Sequence, residues 1–236
     1  MSNVLCIDTS NQPMSVAVYK DNQLAVELTV NIKRNHSIQL MPAVRDLMKQ
    51  AELKPNELTE IVVGEGPGSF TGIRIGMTTA KSLAWTLNIP IKTVSSLELV
   101  AGSMLYQKGF VCPFFDARRG NVFTGLYETN YGDIDCLEED GHTDMESWLS
   151  HLKELEQPIT FVSPNGDDFH SMINSYLRDQ AIILDQAMSL PRASLLYPIS
   201  QTKEESPVHL VKPNYQRMTQ AEANWIKQHK DESTNE

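Results

Sequence analysis

Three strands, a helix, a strand, a helix and a strand follow one another twice along this chain, and that duplication constrains the fold more than any other feature. In the first half, residues 4–7, 14–19 and 23–30 are β-like, 37–51 is helical, 61–63 is β-like, 70–88 is helical and 91–94 is β-like. Asp21-Asn22 supplies the hairpin turn between the second and third strands. The helix at 37–51 places Leu40, Val44, Leu47 and Met48 on one face and tolerates Pro42 near its start. Residues 95–107 read as a further helix. The second half repeats the order. Residues 110–115, 121–127 and 134–137 are β-like, 144–155 is helical, 159–162 is β-like, 167–177 is helical and 182–184 is β-like. A last helix is expected from Pro191, where proline suits a first helical position. The two halves share no visible sequence identity. The pattern predicts an α/β protein of two similar layers, each a mixed sheet flanked by helices. The expected division is an N-terminal lobe over 1–100 and a C-terminal lobe over 101–218. Residues 219–236 are strongly polar and are expected to fray, with Trp225 and Ile226 as docking residues.

Within the first half, Gly64-Glu-Gly-Pro-Gly-Ser-Phe-Thr-Gly-Ile-Arg-Ile-Gly76 joins a strand end to a glycine turn and a helix. Such a turn either cradles an anion on helix N–H groups or brings one backbone close to another. Spacing tests the first use. No Gly-Lys pair follows, as a Walker loop requires, and Ser69 stands where a dinucleotide fingerprint needs its third glycine. Pro67 and Thr71 occupy the glycine positions of a nucleophile elbow around Ser69. A tight turn feeding a packed helix is the better reading. In that helix Gly72, Gly76, Ala80 and Ala84 recur every four residues and form a ridge of small side chains. Two helical glycines cost about 1 kcal/mol each relative to alanine. A close neighbour must offset that, either a helix of the same domain or a helix of a partner chain, so the ridge predicts a close helix–helix contact.

The formal charge of −10 on 236 residues argues against a broad nucleic-acid surface, which would be basic. No run approaches twenty apolar residues, so no membrane span is expected. The opening residues lack a basic segment ahead of an apolar one and read as a first strand. Cys6, Cys112 and Cys136 form no C-x-x-C pair, fall in strand-like segments and are expected to be reduced, as in a cytoplasmic protein. Arg118 and Arg119, in the turn Asp116-Ala-Arg-Arg-Gly120, either clamp a phosphate or a partner carboxylate or are exposed hairpin arginines, with Asp116 able to pair locally. Glu138-Glu139-Asp140 and Lys203-Glu204-Glu205 read as solvated loops.

The segment Gly66-Pro67-Gly68-Ser69-Phe70-Thr71-Gly72-Ile73-Arg74-Ile75-Gly76 resembles the signature of the bacterial TsaB (YeaZ) family of tRNA threonylcarbamoyladenosine biosynthesis proteins. Ile7-Asp-Thr-Ser10, His36-Ser37 ahead of Pro42, Asp116-Ala-Arg-Arg-Gly120 and Pro213-Asn-Tyr-Gln-Arg217 are similar to further family motifs, in family order. The resemblance implies the two-lobed actin/Hsp70/sugar-kinase fold. It implies a non-catalytic subunit that binds TsaD, the paralogue that transfers threonylcarbamoyl to adenosine beside the anticodon. TsaE, an ATPase, would join the pair, and the chain alone would form a homodimer. Direct tRNA contact would be slight.

The residues agree with a non-catalytic reading. The catalytic paralogue holds a metal with a helical H-x-x-x-H pair, whereas here Leu40 stands four residues after His36. No metal site is expected, and His36 reads as a helix-start hydrogen-bonding residue. Asp8, Thr9 and Ser10 stand where relatives of this fold hold Mg²⁺ and phosphate. Pro13 removes a donor there, and the three side chains are expected to satisfy their own turn in the isolated chain. The expectation is therefore no nucleotide bound alone, with ATP or ADP shared at a boundary with TsaD as the remaining use of these residues. The partner interface is expected on 37–51 and 70–88, at Leu40, Val44, Leu47 and the Gly72–Gly76–Ala80–Ala84 ridge, so that Gly76→Leu would break association and leave the fold standing. Two readings of other classes are a small-molecule kinase or ATPase of the same fold, which would need phosphate loops, and a protease, which would need a nucleophile–base or metal pair.

Overall fold

The computed structural model describes residues 1–32 and 35–216. Ten strands form two five-stranded mixed sheets. The first contains β1 (Val4–Asp8), β2 (Met14–Lys20), β3 (Gln23–Val30), β4 (Glu60–Gly64) and β5 (Ile91–Val94), with α1 (His36–Gln50) and α2 (Phe70–Leu87) in its crossovers. The second contains β6 (Lys108–Arg118), β7 (Asn121–Asn130), β8 (Asp133–Asp144), β9 (Ile159–Val162) and β10 (Ala181–Ile183), crossed by α4 (Met145–Lys153) and α5 (His170–Leu177). The strand orders are β3-β2-β1-β4-β5 and β8-β7-β6-β9-β10. These are the same topology with the strands renumbered, so the duplicated element order is a duplicated architecture.

Local chemistry explains the pieces. Asp21 and Asn22 both take left-handed φ values, 53° and 67°, as the two-residue turn of the first hairpin requires. Asn35 caps α1, accepting the backbone N–H of Ser37. The His36 ring bonds the Gln12 carbonyl at 3.0 Å, in agreement with its reading as a helix-start residue. Strands β1 and β4 read as unbroken apolar runs because both faces of the first sheet are covered. Leu5, Ile7, Ile61 and Val63 face α1 and α2, whereas Val4, Cys6 and Val62 face a core on the opposite side. The second sheet repeats this, with Cys112, Phe114, Ile159 and Phe161 toward α4 and α5.

Several expected boundaries shift. The helix expected over 95–107 is α3 (Ser96–Ala101) followed by a 3-10 turn at Gly102–Met104. That expected from Pro191 is a 3-10 turn at Ala193–Leu195 running into α6 (Leu196–Ser200). These elements cross the expected lobe limits. Leu97, Val100 and Ala101 of α3 belong to the core of the second sheet. Ala193, Leu196 and Ile199 return to cover the first sheet, where Ala193 N–H donates to Ser15 Oγ at 2.8 Å. Each helix after a fifth strand therefore reaches the opposite sheet, α3 doing so while its Leu99 stays in the core of the first sheet. The turn expected at 116–120 shrinks as well. Strand β6 runs through Arg118, and only its tip turns. The expected tail at 219–236 lies outside the described residues.

The acidic run Glu138-Glu139-Asp140 is not a loop but the middle of β8. Asp140 accepts hydrogen bonds from the Tyr127 hydroxyl and from Ser95, the residue that caps α3. Lys203, expected in a solvated run, pairs with Glu98 of α3 at 2.8 Å. Asp140 thus ties the second sheet to the start of α3 at the junction between the lobes.

Candidate functional site

The turn after β1 is closed. Asp8 is fully buried, and its carboxylate accepts from Ser10 Oγ at 3.1 Å and Ser96 Oγ at 3.0 Å. Burial pushes its pKa up to about 6, against the opposing pull of those hydroxyls and of His36. Thr9 is buried too, and its hydroxyl donates to the Gly72 carbonyl at 2.7 Å. Asp8, Thr9 and Ser10 thus satisfy one another and their neighbours, and no phosphate cradle opens here.

The signature turn is what closes it. Gly66 and Gly68 have φ values of +102° and +152°, which side-chain-bearing residues rarely adopt. Ser69 N–H donates to the Ser10 carbonyl at 2.6 Å, and a Cβ on Gly68 would lie 2.2 Å from that same oxygen. Pro67 follows a cis peptide bond. Ser69 then caps α2 by accepting the Gly72 N–H at 3.3 Å. Of the two uses open to this glycine turn, close backbone approach is the one realised.

The ridge on α2 serves the same closure. A Cβ on Gly72 would sit 2.1 Å from the Thr9 carbonyl oxygen, and one on Gly76 2.5 Å from Thr9 Oγ1. Ala80 and Ala84 are fully buried in the core between α2 and the sheet, and Leu40, Val44 and Leu47 of α1 belong to the same core. This corrects the expectation that these seven residues face a partner. The small residues let α2 approach β1, and the larger ones fill the space beside it.

The outward side of the helix pair carries different residues. On α1, Ile38 is 70% exposed and Met41 is half exposed; on α2, Trp85 is 71% exposed. A groove of about 700 Å³ is lined by Met41 together with Pro42, Arg45, Leu53, Pro55 and Leu83. Ile38 and Met41 lie three apart on one helical face. Apolar residues off the buried stripe were the available sequence signal, and the ridge drew attention away from them.

The C-terminal motif lies against the signature helix. Tyr215 stacks on Phe70 with ring centroids 4.7 Å apart. The Arg74 guanidinium lies 3.8 Å over the Phe70 ring, and its Nε donates to the Tyr215 hydroxyl at 2.7 Å. Asn214 N–H donates to the Glu65 carbonyl at 2.8 Å. Two motifs 140 residues apart in sequence thus form one surface, with Arg217 outside the described residues. Thr71, beside Phe70, is exposed to solvent.

Across from this surface stands the β6–β7 tip, where Arg118 and Arg119 take left-handed φ values of 74° and 57°. Asp116 accepts the Arg118 N–H at 2.7 Å and pairs with its guanidinium at 3.3 Å, the local pairing open to it from sequence. The tip, the signature turn and Tyr215 line an interlobe cleft of about 710 Å³. Arg118 faces it; Arg119 does not line it.

The comparisons with known proteins agree with this geometry. The family described as TsaD, tRNA N6-adenosine threonylcarbamoyltransferase, matches residues 29–225. The tRNA threonylcarbamoyladenosine biosynthesis protein TsaB of Bacillus subtilis (strain 168) is 40% identical over 227 residues, covering 96% of this chain and 99% of the relative. A crystal structure of a Pseudomonas aeruginosa protein, described as uncharacterized with similarity to peptidase YeaZ, is 25% identical with a TM-score of 0.80, covering 92% of this chain and all of the other. A second, YeaZ from Pseudomonas aeruginosa, superposes with a TM-score of 0.75 at 23% identity, over 91% of this chain and all of the other, and shows the shared fold. The two mixed sheets with their helices are therefore the two-lobed actin/Hsp70/sugar-kinase architecture. Near-full-length identity to a TsaB protein, the signature turn and this fold together place the chain in the TsaB (YeaZ) family, within the wider group that the TsaD family describes.

Proposed function

We propose that this chain serves tRNA threonylcarbamoyladenosine biosynthesis as a non-catalytic subunit, binding and supporting a TsaD-type transferase through the outward side of α1 and α2. The observation that carries this reading is the exposed apolar set of Ile38, Met41 and Trp85, with Met41 lining an apolar groove, on a helix pair whose inner side is packed in the core. A closed β1 turn and a core leucine at position 40 favour support over catalysis. TsaE joins the pair in this reading. In the absence of TsaD the same face pairs with a second copy, because related lobes present a self-complementary patch about a twofold axis. The net charge of −10 leaves most tRNA binding to the partners, and the reaction belongs to the cytoplasm. The chain holds no nucleotide by itself, and ATP or ADP at the TsaD boundary is held by surfaces other than the β1 turn. Among the described residues no helix is long and apolar enough to cross a membrane.

The test is association with the same organism's TsaD, followed by light scattering and calorimetry. Trp85→Asp and Ile38→Asp each remove an exposed apolar anchor, and each is expected to weaken association by roughly thirtyfold or more. Stability should change by less than about 0.5 kcal/mol. Unchanged affinity in both variants overturns the assignment of this face. A chain that ignores TsaD and binds ATP tightly alone would establish the kinase-like reading instead.

A further inference from the structure

We infer that the interlobe cleft is a binding site for an organic carboxylate, held by Asn11 and Arg118. Asn11 is 8% exposed, lines the cleft, and its Nδ2 has no hydrogen-bond partner among the described residues. A buried amide donor without an acceptor is costly, so the position is matched to a group that enters the cleft with an oxygen. Arg118 lines the same cleft with its side chain 83% exposed, and the single Asp116 contact leaves guanidinium donors uncommitted. Among the described residues Asp116 is the only acidic side chain lining the cleft, and it meets Arg118 in one 3.3 Å contact. The neighbouring interlobe cavity is the reverse, with Glu65, Glu98, Glu139, Asp140 and Glu204 around one lysine. An anion is therefore sorted to the Arg118 side.

The lining also selects the kind of anion. Among the described residues Arg118 is the only cationic side chain lining the cleft, one charge against the roughly −1.5 to −2 of a phosphate monoester, and the Ser69 N–H is spent on the Ser10 carbonyl. A planar guanidinium matches a planar carboxylate through paired donors. Phe70, Ile73 and Phe123 supply apolar surface for the rest of the molecule. The ligand is thus a carboxylate carrying an apolar or aromatic body, supplied either as a free small acid or as the C-terminus of a peptide. This site is independent of the helical face assigned to TsaD.

The experiment is titration of the full chain, followed by calorimetry and amide NMR, with N-acetyl-L-phenylalanine and its uncharged amide. A hexapeptide ending in phenylalanine is titrated in the same way, with a free and an amidated C-terminus. Each acid is expected to bind at least about tenfold more tightly than its amide. Arg118→Gln should remove that difference without changing the melting temperature. Asn11→Ala should weaken the acid while leaving stability unchanged or higher, because an unsatisfied donor is removed. Tighter binding of the free peptide than of the small acid identifies a chain terminus as the source, and the opposite order a small acid. Equal binding of acid and amide, equal competition by inorganic phosphate, or no binding up to roughly 10 mM overturns the inference.

Discussion

Gly76→Leu is expected to destroy the native fold, with association lost only as a consequence. The added Cβ alone would lie 2.5 Å from Thr9 Oγ1 and 3.7 Å from Ile7 Cγ2, and the remaining three carbons would have to enter the packed space between α2 and β1. Overpacking of a rigid core costs about 1–3 kcal/mol for added methylenes, and more where neither side can move. Here both sides are fixed, since Thr9 is tied to Gly72 by its hydroxyl and β1 is the central strand of its sheet. A loss beyond about 4 kcal/mol is expected, a large share of the roughly 5–15 kcal/mol that holds a typical protein together. Gly72→Ala is the milder companion. It gains about 1 kcal/mol of helix propensity, yet it drives a methyl to 2.1 Å from a backbone carbonyl that cannot rotate away. We expect a net loss of about 3 kcal/mol, read as a lower urea midpoint. Trp85→Ala, on the outward side of the same helix, should stay within about 0.5 kcal/mol of the parent. A folded, monomeric Gly76→Leu protein would show that α2 does not sit on β1 as described.

Asp8→Asn is expected to stabilise the protein at neutral pH. The buried carboxyl titrates at about 6 in the fold against 3.8 for the free group, so between those values the folded chain holds more protons than the unfolded one. Stability from this group therefore rises as pH falls from about 7 toward 4, and ionisation at neutral pH costs about 3 kcal/mol. An asparagine keeps an acceptor for Ser96 and presents a donor to Ser10 without carrying the charge. At pH 7.5 the variant should melt several degrees higher, since 1 kcal/mol moves a chain of this size by roughly 2–4 °C. At pH 4, where the parent carboxyl is protonated, the two should melt together. A variant that is less stable at pH 7.5 would show that the hydroxyls of Ser10 and Ser96 outweigh burial. Gly64 belongs to the same arrangement, because a Cβ there would lie 2.1 Å from Asp8 Oδ1. The signature strand keeps a glycine where the first strand buries its acid.

Much of this architecture is legible in the sequence. Strand and helix order, the Asp21-Asn22 turn, the placement of Leu40, Val44 and Leu47 on one helical face and the Ser10-to-Asp8 bond rest on local chemistry, whereas Ser96 and Gly72 complete the β1 turn from 60 or more positions away. Periodicity says which residues of a helix face inward, and side-chain chemistry says which turns can satisfy themselves. The glycine ridge shows where such reasoning stops. A stripe of small residues states that something comes close, and the same stripe serves a strand of its own chain or a helix of another.

Only the tertiary structure decided what came close. It put β1 under the ridge, Tyr215 on Phe70, Asp140 against Ser95, and α3 and α6 across the molecule from the lobes that precede them. It also turned Ile38 and Trp85 outward and gathered Asn11 and Arg118 on one cleft. The sequence by itself determined the elements and their inward faces, because those depend on spacings of two to four residues. Pairings between residues 45 or more positions apart depend on the path of the whole chain, and local chemistry leaves many partners equally suitable until the sheets are in place.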